Sequence, residues 1–297
     1  MNKIVIITYN ILSSNLATLM IDNKIYPEAI MNVNYRLDNI IKYLEQQLIK
    51  FSKYNLIICL QEVVEEQLGI LSNFFNKFNY KFINAQHGRV NNGNMGVLIA
   101  YPTKLQLNNS ELFTVGKHIK ISDDTSIKAS TKSNIAIFAI FEDIQNKLKF
   151  GIITYHMPCE PTIPMIALLH CKTLYTHIKE FMKNINWIFA GDFNMTPDTI
   201  AYNYMINKLN LGCIWKDLLN FYPKTNHAFI QNKEFSGCID YIFYKKGHLI
   251  KNDTHIKYKK SNLICTKIKL KKLNNIIPDK YEPSDHLPIL SIFNLNK

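Results

Sequence analysis

Asp192 and Asn194 directly follow an apolar segment, Trp187 to Ala190, that is typical of a buried strand. Gly191 is expected to let the backbone turn where the strand ends, and Pro197 suits the first turn of a following helix. Both polar side chains would then project from the carboxyl end of the strand. A carboxylate placed there can orient a water molecule, and a carboxamide can stabilise an oxyanion. Asx turns that cap a helix are the structural alternative for the same two residues.

Polar side chains recur at the ends of the other predicted strands. Apolar runs predict strands over 4–8, 55–60, 95–101, 135–141, 148–155, 238–244 and 287–293, with helices after Asn34 as a cap, over 66–78, over 164–182 and from Pro197. The polar residues at or beside strand ends are Asn10, Glu62, His156, Asp192, Asn194, Asp240, Asp285 and His286. One such residue is more often structural, but eight in equivalent places indicate a site. Four carboxylates without a thiolate suit a hard ion, Mg²⁺ or Mn²⁺, rather than structural zinc.

The composition predicts one large domain. The 297 residues are 47% hydrophobic and 12% aromatic, and no Pro-, Gly- or Ser-rich linker or internal repeat divides them, so we expect a single domain over 1–297. The first residues do not form a signal peptide, and no apolar run approaches the ~18 residues of a membrane span. The six cysteines include no Cys-x-x-Cys pair. We therefore expect a soluble cytoplasmic protein without a membrane partner; the sequence does not indicate the oligomeric state.

A lysine-rich segment, residues 245–272, carries much of the positive charge. It contains ten lysines and a single acidic residue, Asp253, so it supplies +9 of the formal net charge of +12. Such a segment attracts polyanions through counterion release, although a solvated surface is the structural alternative. Because the chain has only two arginines, bidentate base readout is scarce and sequence-tolerant backbone binding is favoured. The lysines predicted to bind substrate are Lys257, Lys259 and Lys260.

Six sequence blocks, in order along nearly the whole chain, resemble those of the endonuclease/exonuclease/phosphatase superfamily. The blocks are Thr8-Tyr9-Asn10-Ile11-Leu12, Leu60-Gln61-Glu62-Val63, Thr154-Tyr155-His156, Gly191-Asp192-Phe193-Asn194, Ile239-Asp240-Tyr241-Ile242-Phe243 and Ser284-Asp285-His286. Each block alone is a weak motif, but six in family order are very improbable by chance. The resemblance implies an α+β fold, a four-layered αββα sandwich in which helices flank two packed β-sheets.

The resemblance also implies roles for the residues at the strand ends. Glu62 would be the principal ligand of Mg²⁺ or Mn²⁺, with Asn10 and Asp285 beside the ion or its waters. A metal ion at this place would neutralise the charge that develops on the phosphate.

The remaining block residues would carry out the chemistry. Asp192 would align and deprotonate the attacking water, and Asn194 would orient Asp192 and contact the phosphoryl group. His286, held in one tautomer by Asp240, would bind a nonbridging phosphate oxygen, and His156 would do so from the other side. The implied reaction is hydrolysis of a phosphoester without a covalent intermediate.

Within the superfamily, the sequence is most similar to the deadenylase, nocturnin and 2′,5′-phosphodiesterase branch. Tyr9-Asn10-Ile11-Leu12 and the segment 235–244 have the deadenylase-like form. In that branch an aromatic residue and a proline enclose an adenine, and the matching positions here are Phe235 and Pro161. Base stacking of this kind contributes ~1 to 3 kcal/mol.

Three hypotheses follow from the sequence. The first is a Mg²⁺-dependent phosphodiesterase acting as a 3′-exoribonuclease on single-stranded RNA with a preference for poly(A). The second is a phosphodiesterase or phosphatase for 2′,5′-oligoadenylate or another small adenine nucleotide, with a DNA-directed endonuclease as a further nuclease alternative. The third, a binding protein without activity, is disfavoured because every block residue is present.

Overall fold

The computed structural model describes residues 2–21, 25–88, 93–230, 233–246, 249–252, 255–258, 263–273 and 275–295. In chain order, its strands are β1 Asn2–Asn10, β2 Asn55–Val63, β3 Tyr80–Gln86, β4 Gly96–Pro102, β5 Leu105–Thr114, β6 Ile135–Asp143, β7 Leu148–His156, β8 Asn186–Asp192, β9 Gly212–Cys213, β10 Asn226–Ile230, β11 Lys233–Gly237, β12 Asp240–Tyr244, β13 Leu249–Asn252, β14 His255–Tyr258, β15 Leu263–Lys269 and β16 Ile289–Leu295.

The helices lie between the strands. They are α1 Ser14–Leu19, α2 Glu28–Met31, α3 Val33–Lys50, α4 Leu68–Lys77, α5 Asp124–Ser130, α6 Pro164–Phe181 and α7 Ile200–Asn203. Short 3₁₀ turns span Glu65–Gln67 and Val115–His118, and π-type turns span Tyr204–Lys208 and Trp215–Leu219. None of the described helices is both long and apolar enough to cross a bilayer.

Two six-stranded mixed sheets form the centre of the molecule. The first has the order β15-β16-β1-β2-β4-β3 and the second β5-β6-β7-β8-β12-β9. Each sheet has one parallel pair, β1 with β2 and β7 with β8, and its other described pairings are antiparallel. Each parallel pair is joined through a long helix, α3 or α6, as parallel neighbours require. This topology brings the carboxyl ends of two strands together in each sheet.

The alternation of side chains along β1 explains the layers. Ile4 and Ile6 belong to the core between the two sheets, whereas Val5 and Ile7 pack in a second core with α3 and α4. Every residue of β2 is buried, as its continuous apolar run predicts for a strand covered on both faces. The predicted αββα sandwich, with helices outside two packed sheets, is confirmed.

Some local expectations were wrong. Asn32, not Asn34, caps α3, because its side chain accepts a hydrogen bond from the N–H of Tyr35. Pro197 does not open a helix: α7 begins at Ile200 and is capped by Thr199, because the intervening residues form a turn.

Gly191 is not a turn residue either. It lies within β8, where a Cβ would meet the Tyr155 carbonyl oxygen at 2.1 Å, so the need for glycine is close backbone approach. The backbone turns instead at Asn194, which has a φ of +46°. Asparagine tolerates this left-handed conformation better than most residues.

Candidate active site

The two parallel strand pairs deliver four polar side chains to one end of the sandwich. Asn10 ends β1 and Glu62 lies one residue before the end of β2, while His156 ends β7 and Asp192 ends β8. Asp192 is in register with His156 on one side and with Asp240 on the other. All five side chains are buried. The sequence prediction that these strand ends meet is therefore matched by the topology.

Asn10 connects the two sheets at this end. Its Nδ2 donates to Glu62 Oε1 at 2.9 Å, within its own sheet, and to Asp192 Oδ2 at 2.9 Å, in the facing sheet. Its Oδ1 accepts from the backbone N–H of Leu12 at 3.0 Å, which fixes the orientation of the amide. The side chain thus fixes the spacing between two carboxylates that belong to different sheets.

Three side-chain nitrogens surround one oxygen of the site, Asp192 Oδ2. Besides the Asn10 amide, His156 Nε2 lies 3.5 Å and His286 Nε2 lies 3.6 Å from this oxygen. The other oxygen, Oδ1, accepts from the backbone N–H of Asn194 at 2.9 Å. Burial raises the pKa of Asp192, and the two nearby imidazoles oppose that rise. A carboxyl with raised basicity among hydrogen-bond donors is suited to orienting and deprotonating a water.

His286 is paired with a carboxylate on its far side. Its Nδ1 lies 2.8 Å from Asp240 Oδ2, and assigning that proton to Nδ1 directs Nε2 toward Asp192. Burial lowers the pKa of His286, but the charges of Asp240, Asp192 and Asp285 outweigh it and hold this pKa well above the ordinary value. These carboxylates therefore favour the cationic imidazole, the form that binds a phosphate oxygen.

Glu62 occupies a strained position. Its φ is +60°, in the left-handed region, at a bulge where the β2–β4 register shifts between Gln61 and Val63. The backbone N–H of Ser13 donates to Glu62 Oε2 at 2.8 Å, so each carboxylate oxygen accepts one hydrogen bond. The bulge turns the carboxylate away from the regular alternation of the strand and toward Asn10.

Four buried carboxylates of this site lack a cationic partner from lysine or arginine. In the part of the chain that the structure describes, no such residue forms an ion pair with any of them; they are Glu62, Asp192, Asp240 and Asp285. The nearby guanidinium of Arg36 instead donates to the backbone carbonyls of residues 11, 12 and 283. Burial raises the pKa of Asp285 to about 6, and the charge of Glu62 adds to that rise.

A divalent cation fits this donor set. An oxygen-rich, negatively charged pocket without thiolates suits Mg²⁺ or Mn²⁺, and a cation would relieve the repulsion between Glu62 and Asp285. Asp192, Asp240 and His286 present donor atoms that all lie within 4.8 Å of one another. Because His286 Nδ1 already bonds Asp240 at 2.8 Å, this trio is explained without an ion. Glu62 and Asp285 therefore stay the predicted ligands. Asn10, the third predicted ligand, faces Glu62 and Asp192 with its nitrogen, and its oxygen accepts from Leu12.

The structure places the other predicted residues less centrally. The Asn194 amide donates to the carbonyl of Met157 at 2.8 Å, so the backbone and not the side chain of Asn194 contacts Asp192. Phe235 lies on the β10–β11 hairpin with 42% of its surface exposed, and Pro161 lies in an exposed turn. Their predicted enclosure of a base stays a prediction. Lys259 and Lys260 lie outside the described residues, and of Lys257 only the backbone, in β14, is described.

Sequence reasoning missed several residues that build the site. Ser13 caps α1 with its side chain and bonds Glu62 through its backbone, yet a lone serine gives no signal for the second role. The sequence suggested no role for Arg36, yet this buried arginine donates to backbone carbonyls of the loops that carry the site. Asn226 was missed because its hairpin was not predicted. Its Nδ2 lies 3.5 Å from Asp285 Oδ2.

The chain is similar to a known protein family and to several known proteins. Residues 160–286 match the family model described as "Endonuclease/Exonuclease/phosphatase family". The chain is 22% identical over 325 aligned residues to a probable CCR4-Not complex 3′-5′-exoribonuclease subunit Ccr4 of Vairimorpha ceranae (strain BRL01). It is 23% identical to the corresponding Ccr4 subunit of Mycosarcoma maydis over 60% of the chain. The chain spans 63% of the first relative's length and 32% of the second's.

Solved structures share the fold over the whole chain. ANGEL2, described as a 2′,3′-cyclic phosphatase in complex with adenosine-2′,3′-vanadate, superposes with a TM-score of 0.76 at 16% identity, covering 100% of this chain and 96% of that one. The human Nocturnin catalytic domain has a TM-score of 0.70 at 19% identity, covering 99% and 94%. These comparisons confirm the resemblance to the endonuclease/exonuclease/phosphatase superfamily, in its deadenylase and nocturnin branch.

Proposed function

We propose that this protein is a divalent-metal-dependent phosphodiesterase that degrades single-stranded RNA from the 3′ end with a preference for adenine. The observation that carries the proposal is the convergence of Asn10, His156 and His286 on one oxygen of Asp192. General phosphoester hydrolysis needs a base for water and cationic donors for phosphate oxygens, and this arrangement provides both. The Ccr4 relatives support an RNA substrate, because their names describe 3′-5′-exoribonuclease subunits.

The proposed roles follow from the contacts. Asp192, oriented by the Asn194 backbone, takes a proton from the attacking water. His286, kept cationic by Asp240, and His156, on the other side of the Asp192 carboxylate, donate to phosphate oxygens. Glu62 and Asp285, with Asn10 close by, would hold Mg²⁺, which when bound would neutralise charge on the phosphate.

The adenine preference rests on two exposed residues. The ring of Phe235 is partly exposed on the β10–β11 hairpin, and Pro161 lies five residues after His156. A flat apolar ring accepts any base, so the preference depends on what surrounds it. The lysine-rich segment 245–272 would hold the RNA backbone farther from the cut. The cytoplasm is the proposed compartment, since all six cysteines are free thiols.

A small adenine nucleotide is the second candidate substrate. ANGEL2 supports it, because that protein's structure contains an adenosine-2′,3′-vanadate. The same donors would serve a 2′,5′-linked oligoadenylate or a cyclic phosphate, since they contact phosphate oxygens and not the linkage. A DNA-directed endonuclease shares the chemistry as well, and the described contacts favour no DNA feature.

Product analysis tests these candidates together. The protein is incubated with Mg²⁺ and, separately, with 3′,5′-oligoadenylate, oligocytidylate, 2′,5′-oligoadenylate, single-stranded DNA and an abasic-site duplex, and products are identified by mass spectrometry. Stepwise release of 5′-AMP from the 3′ end of the 3′,5′-oligoadenylate is expected. Turnover confined to 2′,5′-linked or DNA substrates would reject the proposed exoribonuclease, and full turnover in excess EDTA would reject the metal requirement.

A further inference from the structure

Asn226 is a buried amide beside the predicted metal-binding carboxylate. Only 4% of its surface is exposed, and it opens β10 at a point where its backbone forms an isolated bridge with His286. Its Nδ2 lies 3.5 Å from Asp285 Oδ2. Its Oδ1 is buried and has no hydrogen-bond partner among the described residues. A buried acceptor without a donor costs ~1 to 3 kcal/mol, so it indicates a partner outside the protein.

The orientation of this amide is set by its neighbour. Turning the amide over would place Oδ1 against Asp285 Oδ2, and two acceptors would then face each other at 3.5 Å. The nitrogen therefore faces Asp285, and the oxygen remains available on the other side. The missing partner must be a hydrogen-bond donor, because a carboxamide oxygen only accepts.

The surroundings of Asn226 place this acceptor near the exposed ring of Phe235. Asn226 is opposite Gly237 in the β10–β11 register, and Phe235 lies two residues from Gly237 on the same face of the hairpin. A Cβ on Gly237 would meet Phe235 Cζ at 2.9 Å and Thr196 Cγ2 at 3.4 Å. The ring thus leans across Gly237, next to the turn that follows Asn194. Asn226 therefore lies on the same face of the hairpin as the ring, and its Nδ2 is 3.5 Å from Asp285 Oδ2.

We propose that Asn226 determines sugar specificity by accepting a hydrogen bond from the ribose 2′-hydroxyl of the nucleotide whose base stacks on Phe235. This inference rests on the proposed function and deepens it by assigning the choice of RNA over DNA to one residue. A 2′-hydroxyl is both donor and acceptor, and it is the group by which a protein distinguishes RNA from DNA. Deoxyribose would leave the Asn226 acceptor without a partner, and the enzyme would discriminate against it.

Substrates with one altered sugar test the inference on the wild-type protein. Oligoadenylates carry a single 2′-deoxy or 2′-fluoro sugar at one of the last three positions, and single-turnover rates are measured with Mg²⁺. Fluorine keeps the ribose-like shape but cannot donate. At one position both substitutions are expected to slow cleavage by about 2- to 12-fold, the value of one hydrogen bond. A 2′-fluoro substrate that reacts like the unmodified one overturns the inference, as does equal reactivity of all three.

Variants then assign the effect to Asn226. Asn226→Leu removes the acceptor at similar volume and should reduce the hydroxyl-to-deoxy rate ratio to about one. The ratio is the readout, because loss of the Nδ2 contact with Asp285 affects both substrates alike. Ser236→Ala is the matched control, because Ser236 Oγ is also buried without a partner in the part of the chain that the structure describes, but lies on the other face of the hairpin. Its ratio should stay at the wild-type value.

The outcomes separate the inference from the proposed function. A wild-type ratio that persists in Asn226→Leu, or one that is also lost in Ser236→Ala, overturns the role of Asn226 and leaves the exoribonuclease intact. Absence of cleavage of the unmodified oligoadenylate by wild-type protein overturns the proposed function, and this inference with it. If circular dichroism shows that Asn226→Leu is unfolded, Asn226→Ala is measured in its place, and a wild-type hydroxyl-to-deoxy ratio in that variant overturns the role of Asn226.

Discussion

Replacing Asp240 by asparagine should weaken catalysis through the charge of His286 and not through the fold. Where the asparagine carbonyl oxygen faces His286 Nδ1, it accepts the hydrogen bond observed at 2.8 Å, and the tautomer and ring orientation are retained. Only the negative charge is lost. A hydrogen bond to a charged group contributes ~1.5 to 3 kcal/mol, which corresponds to a loss of about 10- to 150-fold in rate at neutral pH.

The pH dependence of that loss distinguishes charge from structure. Burial lowers the pKa of His286, and Asp240 contributes the largest opposing effect. Without that carboxylate the pKa of His286 falls, so the variant loses the cationic form at a lower pH than the wild type. The rate ratio of wild type to Asp240→Asn should therefore grow with pH.

The assay is single-turnover cleavage of oligoadenylate from about pH 6 to pH 9 at saturating Mg²⁺. Taking the ratio at each pH removes titrations that both proteins share, including that of Asp285. Glu111→Gln provides the control, since Glu111 lies 3.1 Å from His177 Nε2, away from the site, and its loss should leave the profile unchanged. A ratio that is constant over the whole pH range would refute the assignment of His286 as a charge-bearing phosphate ligand.

Further changes probe the metal, the lysines, the base platform, the proposed general base and the core. Glu62→Gln should raise the Mg²⁺ concentration required for half-maximal rate far more than it lowers thermal stability, as a metal titration beside a melting curve would show. Neutralising three lysines of the segment 245–272 should raise KM for long RNA and weaken the dependence of that KM on salt, while the turnover rate of dinucleotides is unchanged. A lower turnover rate of dinucleotides would indicate that the lysines have a structural role. The three are Lys257, Lys259 and Lys260. Phe235→Ala should reduce the preference for adenine over cytosine and uracil homopolymers and leave the metal requirement intact, and an unchanged preference would reject the stacking role of Phe235. Asp192→Ala should instead lower the turnover rate of every substrate by ~10²- to 10⁴-fold. Burial lowers the pKa of His170 to about 4, so folding favours its neutral form and the free energy of unfolding decreases as pH falls from about 6.5 toward 4. Urea unfolding should show that about 2 kcal/mol of stability is lost by about pH 5. This loss should be absent in His170→Gln.

The strand ends were predictable because each central strand is covered on both faces. A strand of that kind needs a continuous apolar run, and a polar residue can follow only where the strand leaves the core, as at Asp192 and His156. The positions of the site residues along the chain are therefore visible in the sequence. The chemical role predicted for each of these residues came from the resemblance to a known superfamily and not from the apolar runs.

Edge elements were missed for the opposite reason. The strands β3 and β5 mix buried and exposed residues without a clear alternation, so no period of two marks them. The hairpin β10–β11 is short, and its second strand has no fully buried residue. Asn226, which lies on that hairpin, was missed with it. Residues that a hairpin brings to a site from outside the central sheets leave little hydrophobic signal.

The contact between the two sheets lies beyond what periodicity can predict. A period of two assigns Ile4 and Val5 to opposite faces of β1, but it does not say which sheet or helix covers each face. The Asn10–Asp192 hydrogen bond joins residues 182 positions apart, and just below it Gln61 Nε2 donates to Thr154 Oγ1 at 3.1 Å across the same interface. Because Asp192, the proposed base, and Glu62, the predicted metal ligand, lie on different sheets, their separation is set by how the sheets pack. Catalytic geometry in this fold is therefore a property of the core between the sheets, and a change of side-chain volume there would move Asp192 relative to Glu62 without altering either residue.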